Sequence, residues 1–471
     1  MKHSMPKILI LFLLLLCLSP LFGQTYSRGA ILDPVRYEQT DAEPVLVSRN
    51  YTGGPRSVSL KNYAPIPEDQ GDYSTCVGWA TAFAARTISE SIALNRISSE
   101  QSSNSAYSPL YIYKSISNDP TGRSGTAIVD ALELMKSPGS VKRLPMEKDL
   151  DFMDIFLSMY SGAQYYPISN YVRLFSNPRG VPGTISERVP SVKKSLENGM
   201  PVIIGMNCPF SFEFAEGVWE PWDWEDPYID YGGHAMCVVG YDDNVYGGAF
   251  EIQNSWGTGW GNEGYIWITY SDFATFVYHA YKIKENLAMY KDATRYAASI
   301  EIEVYTDSRG MPVTYDRQGF YRTNLSYPEG TEFRFLMTNR YPAYVYAFSA
   351  DNTSNDIERV FPTQGISPVL DYIDSTVAWP SEYEVMKLFG ASGTDYLVVL
   401  YSKEELDIAA IERRFASERG TFPERVARAV GTNFIPYSQV EYNNNRIEFS
   451  AETQNPRSVF GLLVAIDRRG R

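Results

Sequence analysis

Histidine and cysteine are the residues this chain has least of, three and four in 471. One cysteine, Cys17, lies in an N-terminal apolar run, which leaves Cys76, Cys208 and Cys237 downstream. Three cysteines cannot make the even-numbered framework of a disulfide-stapled scaffold, so hydrophobic cores must carry the stability. Cys76 reads as a free thiol. Cys208 and Cys237 read either as two buried thiols or as one bridge. Positive charge is short as well: 42 Lys and Arg against 56 Asp and Glu leave a net −14. That balance argues against nucleic acid or an anionic membrane as partner, since both need a basic face. After residue 23 no apolar run is long enough to span a bilayer. The glycines of Gly257-Thr258-Gly259-Trp260-Gly261 have no following Lys-Ser/Thr or helix, which excludes a phosphate loop. No metal or cofactor is expected; an acidic loop at 209–231 lacks the spacing of a known calcium site.

What is present begins with an address. Lys2 and Lys7 precede the apolar run 8–17, and Ser19-Pro20-Leu21-Phe22-Gly23 follows, the pattern of a secretory signal cut after Gly23. A lipid anchor on Cys17 is disfavoured by the leucines before it. Loss of Lys2 and Lys7 deepens the net charge to about −16, and the chain is expected to be exported to the periplasm, cell surface or medium. Residues 24–60 show no periodicity and read as an extended arm.

The chemistry is concentrated in two stretches. Gly232-Gly233-His234-Ala235-Met236-Cys237-Val238-Val239-Gly240-Tyr241 and Phe250-Glu251-Ile252-Gln253-Asn254-Ser255-Trp256-Gly257 read as neighbouring strands, 234–241 and 249–254, with a third at 264–270. They can bring the Asn254 amide oxygen to the His234 ring and fix the tautomer of a general base. Upstream, Gln70-Gly71-Asp72-Tyr73-Ser74-Thr75-Cys76-Val77-Gly78-Trp79 supplies a nucleophile at the start of a helix running to about residue 95, with Ser74 or Thr75 as its cap. A thiol there, beside an imidazolium, is expected to ionise; comparable sites titrate at roughly 3 to 4.

Together these segments resemble the papain-like cysteine peptidases. The resemblance implies an α+β, two-lobed fold, a helical lobe against a β-barrel-like lobe, over residues 61–285. It also implies roles. Cys76 is the nucleophile, His234 its partner, Asn254 the group that orients His234, and Gln70 an oxyanion donor with the Cys76 N–H. Trp256 shields the His–Asn bond, while Gly122, Gly125 and Ala235 line the substrate cleft. The substrate would be a peptide or protein. The rival readings are an inactive homologue serving as a scaffold, and another thiol acyltransferase. Three positions depart from the family: Val77 stands for its usual Trp, Tyr73 for a disulfide-bonded Cys, and Gly233 where Asp or Asn often precedes the histidine. The family's long helical propeptide has no room before Gln70, so activity is restrained by another means or not at all.

The acidic loop, with Trp219, Trp222 and Trp224 among Glu213, Glu216, Glu220, Asp223, Glu225, Asp226 and Asp230, should edge the cleft. It could select basic or extended substrates, with Glu220, Asp223 and Glu225 as test positions, or simply be a solvated loop whose tryptophans pack. After a linker at 286–296, alternating strands at 299–305, 333–337, 343–349, 396–401, 446–450 and 459–466 predict a separate β-rich, sandwich-like domain over 297–471. Helices are expected after Ser402 and over 423–430. The domain shows no catalytic cluster, and its expected role is to bind a surface or a protein partner.

Overall fold

Residues 76–93 form one continuous helix, α1, whose middle, Trp79–Arg86, is wound in wider π-helical turns. Such turns are rare and occur mostly near functional sites. Small residues (Ala80, Ala82, Ala84, Ala85) let it sit buried on every side. The structure is a computed structural model that describes residues 26–44, 54–285, 294–316, 320–351, 357–381, 384–455 and 457–470. The signal segment 1–23, residues 45–53 of the arm and most of the 286–296 linker lie outside these.

Helices Ser99–Asn104, Pro109–Ile116 and Ile128–Lys136 pack around α1. Against them lies a ten-stranded sheet: β1 (Ala30–Ile31), β2 (Ser57–Ser59), β3 (Thr126–Ala127), β4 (Asn170–Arg173), β5 (Val202–Asn207), β6 (Val218–Trp219), β7 (Gly233–Asp242), β8 (Ala249–Gln253), β9 (Tyr265–Thr269) and β10 (Val277–Lys284). Its main path runs β4-β10-β5-β7-β8-β9-β6. β5 and the middle of β7 are buried along their whole length, as their unbroken apolar runs require. One hydrophobic core joins α1 to the sheet.

The arm differs from the extended reading. Asp33 accepts hydrogen bonds from the Val35 and Arg36 N–H groups, and Pro34 presets the first turn of a short helix, Pro34–Glu38. Such a cap needs only two residues, too short a signal for a periodicity argument. Beyond it, Ala42 bridges Arg173 on one side and Ile366 on the other.

Residues 294–470 form two further sheets. Arg295–Val304 lies between Glu332–Asn339 and Ile447–Glu452 in one, and Gly393–Ser402 between Ala343–Asp351 and Val459–Arg469 in the other. Residues of both sheets, among them Phe335, Trp379, Val399 and Phe460, share one core. Helix Phe422–Val430 falls where expected. The other starts at Ile408, capped by Asp407 rather than Ser402; the Ser402 hydroxyl instead takes the Glu404 N–H in a turn. This β-rich region meets the first through a buried quartet. Lys282 and Lys284, on β10, each pair with Glu43 of the arm and with Asp371, at 2.8 to 3.1 Å.

Candidate active site

β8 runs antiparallel to β7 with Gln253 opposite Cys237, so Asn254 leaves the sheet beside the start of β7, where His234 sits. His234 Nε2 lies 2.7 Å from Asn254 Oδ1. That same oxygen accepts the Ser255 backbone N–H at 2.8 Å. An atom that accepts from an amide must be the oxygen, so His234 donates through Nε2 and presents a bare lone pair at Nδ1. Nδ1 has no partner among the described residues. The Trp256 ring stacks on the imidazole at 4.6 Å and keeps water from the His–Asn bond.

Cys76 opens α1, and the backbone amide of Ala235, next to His234, lies on the side of its sulfur and favours the charged form. Neither Ser74 nor Thr75 caps the helix. Thr75 Oγ1 accepts from the Trp79 indole, and the Ser74 hydroxyl donates to the Arg123 carbonyl. Gln70 is aimed from both ends: Ser255 Oγ donates to its Oε1 at 2.6 Å, leaving Nε2 to donate to the Tyr73 carbonyl and into the cleft. Tyr73 is tied down without a disulfide, by a 2.6 Å bond to Asp151 and a stack on Phe152. The Gly122 carbonyl holds the Ser74 N–H, two residues before Cys76, whereas Gly125 lies against Gly29. His279 stands apart in the core, stacked on Tyr37. Cys208 and Cys237 are free buried thiols.

The cleft is occupied by the chain itself. Tyr26 stacks on the other face of Trp256, at 4.6 Å. The Ser27 carbonyl takes hydrogen bonds from Gln70 Nε2 and Trp256 Nε1, both at 3.1 Å. Arg28 pairs with Glu213, the Gly29 N–H bonds the Cys76 sulfur, and Ala30 pairs with Gly233 and Thr126. A short strap, residues 26–31, thus covers Cys76 and His234, both of which are 0% exposed. Sequence reading missed it, because six residues without periodicity carry no signal. Gly233 is the trace it leaves: a Cβ there would lie 2.0 Å from the Ala30 carbonyl oxygen.

Burial under the strap overturns the expected thiolate. Desolvation pushes the Cys76 thiol up to about 11 against its amide hydrogen bonds. Desolvation likewise pushes His234 down to about 3, Asn254 opposing and the Arg28 charge adding to it. In this closed state both partners are neutral.

In the acidic loop, one of the three test positions for selection does a structural job. Glu225 is buried and takes the Ser211 and Trp222 N–H groups and the Ser211 hydroxyl. It holds the loop together. Trp219 is buried, while Trp222 and Trp224 stay exposed. Among the described residues no group of three or more His, Cys, Asp or Glu is placed to hold a metal, and no helix is long and apolar enough to cross a membrane.

Residues 70–288 match the family model described as papain family cysteine protease. This part of the chain is papain-like in sequence. An uncharacterized peptidase C1-like protein, L477, of Acanthamoeba polyphaga mimivirus is 33% identical over 110 residues, 22% of this chain and 31% of that one. The chain thus spans about a third of the length of the curated relative it matches. Among solved structures, the cysteine protease xylellain from Xylella fastidiosa is 23% identical, over 55% of this chain and 96% of its own, with a TM-score of 0.41. Bromelain from Ananas comosus is 17% identical, over 49% and 100%, with a TM-score of 0.38. The papain-family segment holds all four of Gln70, Cys76, His234 and Asn254.

Proposed function

We propose that this protein is an exported cysteine peptidase that hydrolyses peptide bonds through Cys76, His234 and Asn254, in a latent state closed by its own strap. The observation that carries the reading is the tautomer-fixed His234–Asn254 pair at 2.7 Å, beside a thiol at the head of α1. When the strap leaves, the desolvation that holds both groups neutral is relieved. A proton can then pass from sulfur to Nδ1, giving a thiolate–imidazolium pair. The thiolate adds to the scissile carbonyl, whose oxygen takes the Gln70 Nε2 and Cys76 N–H bonds. Imidazolium protonates the departing amine, an acyl-enzyme remains, and water activated by His234 releases the acid and regenerates the thiol. Losing one oxyanion donor typically slows such chemistry about 100- to 1000-fold. An inactive scaffold fits less well, because Gln70, Cys76, His234 and Asn254 are all present beneath the strap and the His234–Asn254 bond is made.

The test is a diverse peptide library under reducing conditions, offered to the whole chain, to a strap-opened variant (Gly233→Asn) and to its Cys76→Ala counterpart. Cleavage by the opened chain that vanishes with Cys76→Ala supports the reading. Cleavage surviving Cys76→Ala, or none from an opened chain whose Cys76 alkylates readily, would falsify it.

A further inference from the structure

The strap does more than cover the thiol; it places one charged side chain in a prepared hole. Arg28 Nη2 donates to Glu213 Oε1 at 2.8 Å and to the Pro209 carbonyl at 3.3 Å. Its guanidinium stands 5.5 Å from the centre of the Phe210 ring. Both side chains of the ion pair are largely buried, 15% and 13% exposed. The walls are tied to the core: residues 210–214 form a single helical turn, Phe212 packs on Trp219, Trp256 and Trp260, and the Trp260 indole donates to the Glu213 carbonyl, while the Phe210 ring stays half exposed at the rim. A carboxylate, a backbone carbonyl and an aromatic face all attract a cation and repel an anion. Arg28 directly follows Ser27, whose carbonyl rests on the Gln70 amide.

From this geometry we propose that Glu213, with Phe210 and the Pro209 carbonyl, is a specificity subsite for a basic side chain adjacent to the scissile bond, and that Arg28 occupies it in place of substrate. The proposal rests on the peptidase reading for its notion of substrate. The reason is that Glu213 cannot be left alone. Burial raises its pKa and Arg28 opposes that rise, so a departing strap leaves a half-buried carboxylate without its counter-ion. A peptide carrying Arg or Lys replaces what was lost; one carrying Glu meets a like charge. The loop that sequence reading singled out for basic selection does take part, but through Glu213 at its foot, not through Glu220, Asp223 or Glu225.

The experiment uses the full chain with Gly233→Asn to open the strap and Arg28→Ala to vacate the hole, alkylation of Cys76 reporting that the cleft is open, and matched peptides bearing Arg, Gln or Glu at the residues either side of the scissile bond. We expect kcat/KM to favour Arg over Gln by about tenfold or more, as a charge-assisted bond implies. Glu213→Asp keeps the preference, Glu213→Gln brings the ratio near one, and Glu213→Lys turns it toward Glu. Cleavage with a ratio indifferent to Glu213→Gln overturns the subsite and leaves the peptidase standing. If no peptide is cut although Cys76 alkylates, it is the peptidase reading that has failed, and binding decides the subsite. Labelled Arg and Gln peptides are then titrated into the Gly233→Asn/Cys76→Ala/Arg28→Ala chain by fluorescence anisotropy. A Glu213-dependent preference for Arg upholds the cation site; equal binding ends it.

Discussion

Gly233→Asn should open the strap. The position tolerates no side chain while Ala30 is seated, since an added Cβ would lie 2.0 Å from the Ala30 carbonyl oxygen and 2.9 Å from the Leu32 side chain. Backbone on one side and a buried strand on the other leave nothing flexible to give. The strap is the part that moves. Its hold is modest. The bonds to Ser27 and Gly29 and the Arg28–Glu213 pair give roughly 5 kcal/mol net, and the Tyr26–Trp256 stack about 1 more. The Ala30 pairing with Gly233 and Thr126 adds to this hold, and ordering the backbone of the strap opposes it by roughly 1 to 2 kcal/mol per residue. The two sides nearly cancel, so a clash of about 1.5 to 3 kcal/mol shifts opening some 10- to 100-fold. The assay is alkylation of Cys76 by iodoacetamide, followed by mass spectrometry, with buried Cys208 and Cys237 as internal controls. Gly259→Asn, at a position where an added Cβ meets nothing within 4 Å, should behave as the unaltered chain. A Gly233→Asn chain that alkylates at the unaltered rate, or in which all three thiols react together, refutes the reasoning.

The strap's hold should be nearly flat with pH across neutrality. Closed, the site carries one proton, on sulfur, between about 3 for His234 and about 11 for Cys76; open, the thiolate–imidazolium pair carries one as well, so neither state gains protons on the other. Amide exchange at Thr126, whose N–H bonds the Gly29 carbonyl, should keep its protection between pH 7 and 4.5 after correction for intrinsic rate; a loss contradicts this. Asp371→Ala strips Lys282 and Lys284 of one of their two shared carboxylates and should cost about 3 to 5 kcal/mol, read as a lower denaturation midpoint; an unchanged midpoint refutes the quartet's role. Dithiothreitol should leave Tm unmoved, because no disulfide joins Cys208 to Cys237; a drop would reveal a bridge.

Much of the papain-family part was readable because its signals are local and strong. The His234 strand is an apolar run, the Asn254 turn is dense in Trp and Gly, and α1 has helical spacing. The strands of the second region were legible for the same reason, as alternation over six or more residues. What escaped depends on contacts between distant segments. Nothing in Tyr26-Ser27-Arg28-Gly29 says that it lies on Trp256 and Gln70, and nothing in Ser255 says that its hydroxyl aims the Gln70 amide. Glu225 and Glu213 look alike in the sequence; only the fold turns one inward as a loop staple and the other toward the cleft. The thiolate expectation failed through an omitted term, the burial imposed by a segment whose position could not be read.

The departures from the family pattern make one physical argument. Gly233 in place of Asp or Asn provides the gap through which the Ala30 backbone reaches β7, so the departure is a requirement of closure. The strap then rests on groups of the cleft: Gln70 Nε2 and Trp256 Nε1 both hold Ser27. A segment lying on a peptidase's own hydrogen-bonding groups risks being attacked. Under the proposed mechanism that risk is met by the same burial that seats the strap: it holds the Cys76 thiol near 11 and the His234 ring near 3, which disfavours the proton transfer that attack requires. A basic peptide that competes for Glu213 and draws the strap away would relieve that burial in the same movement.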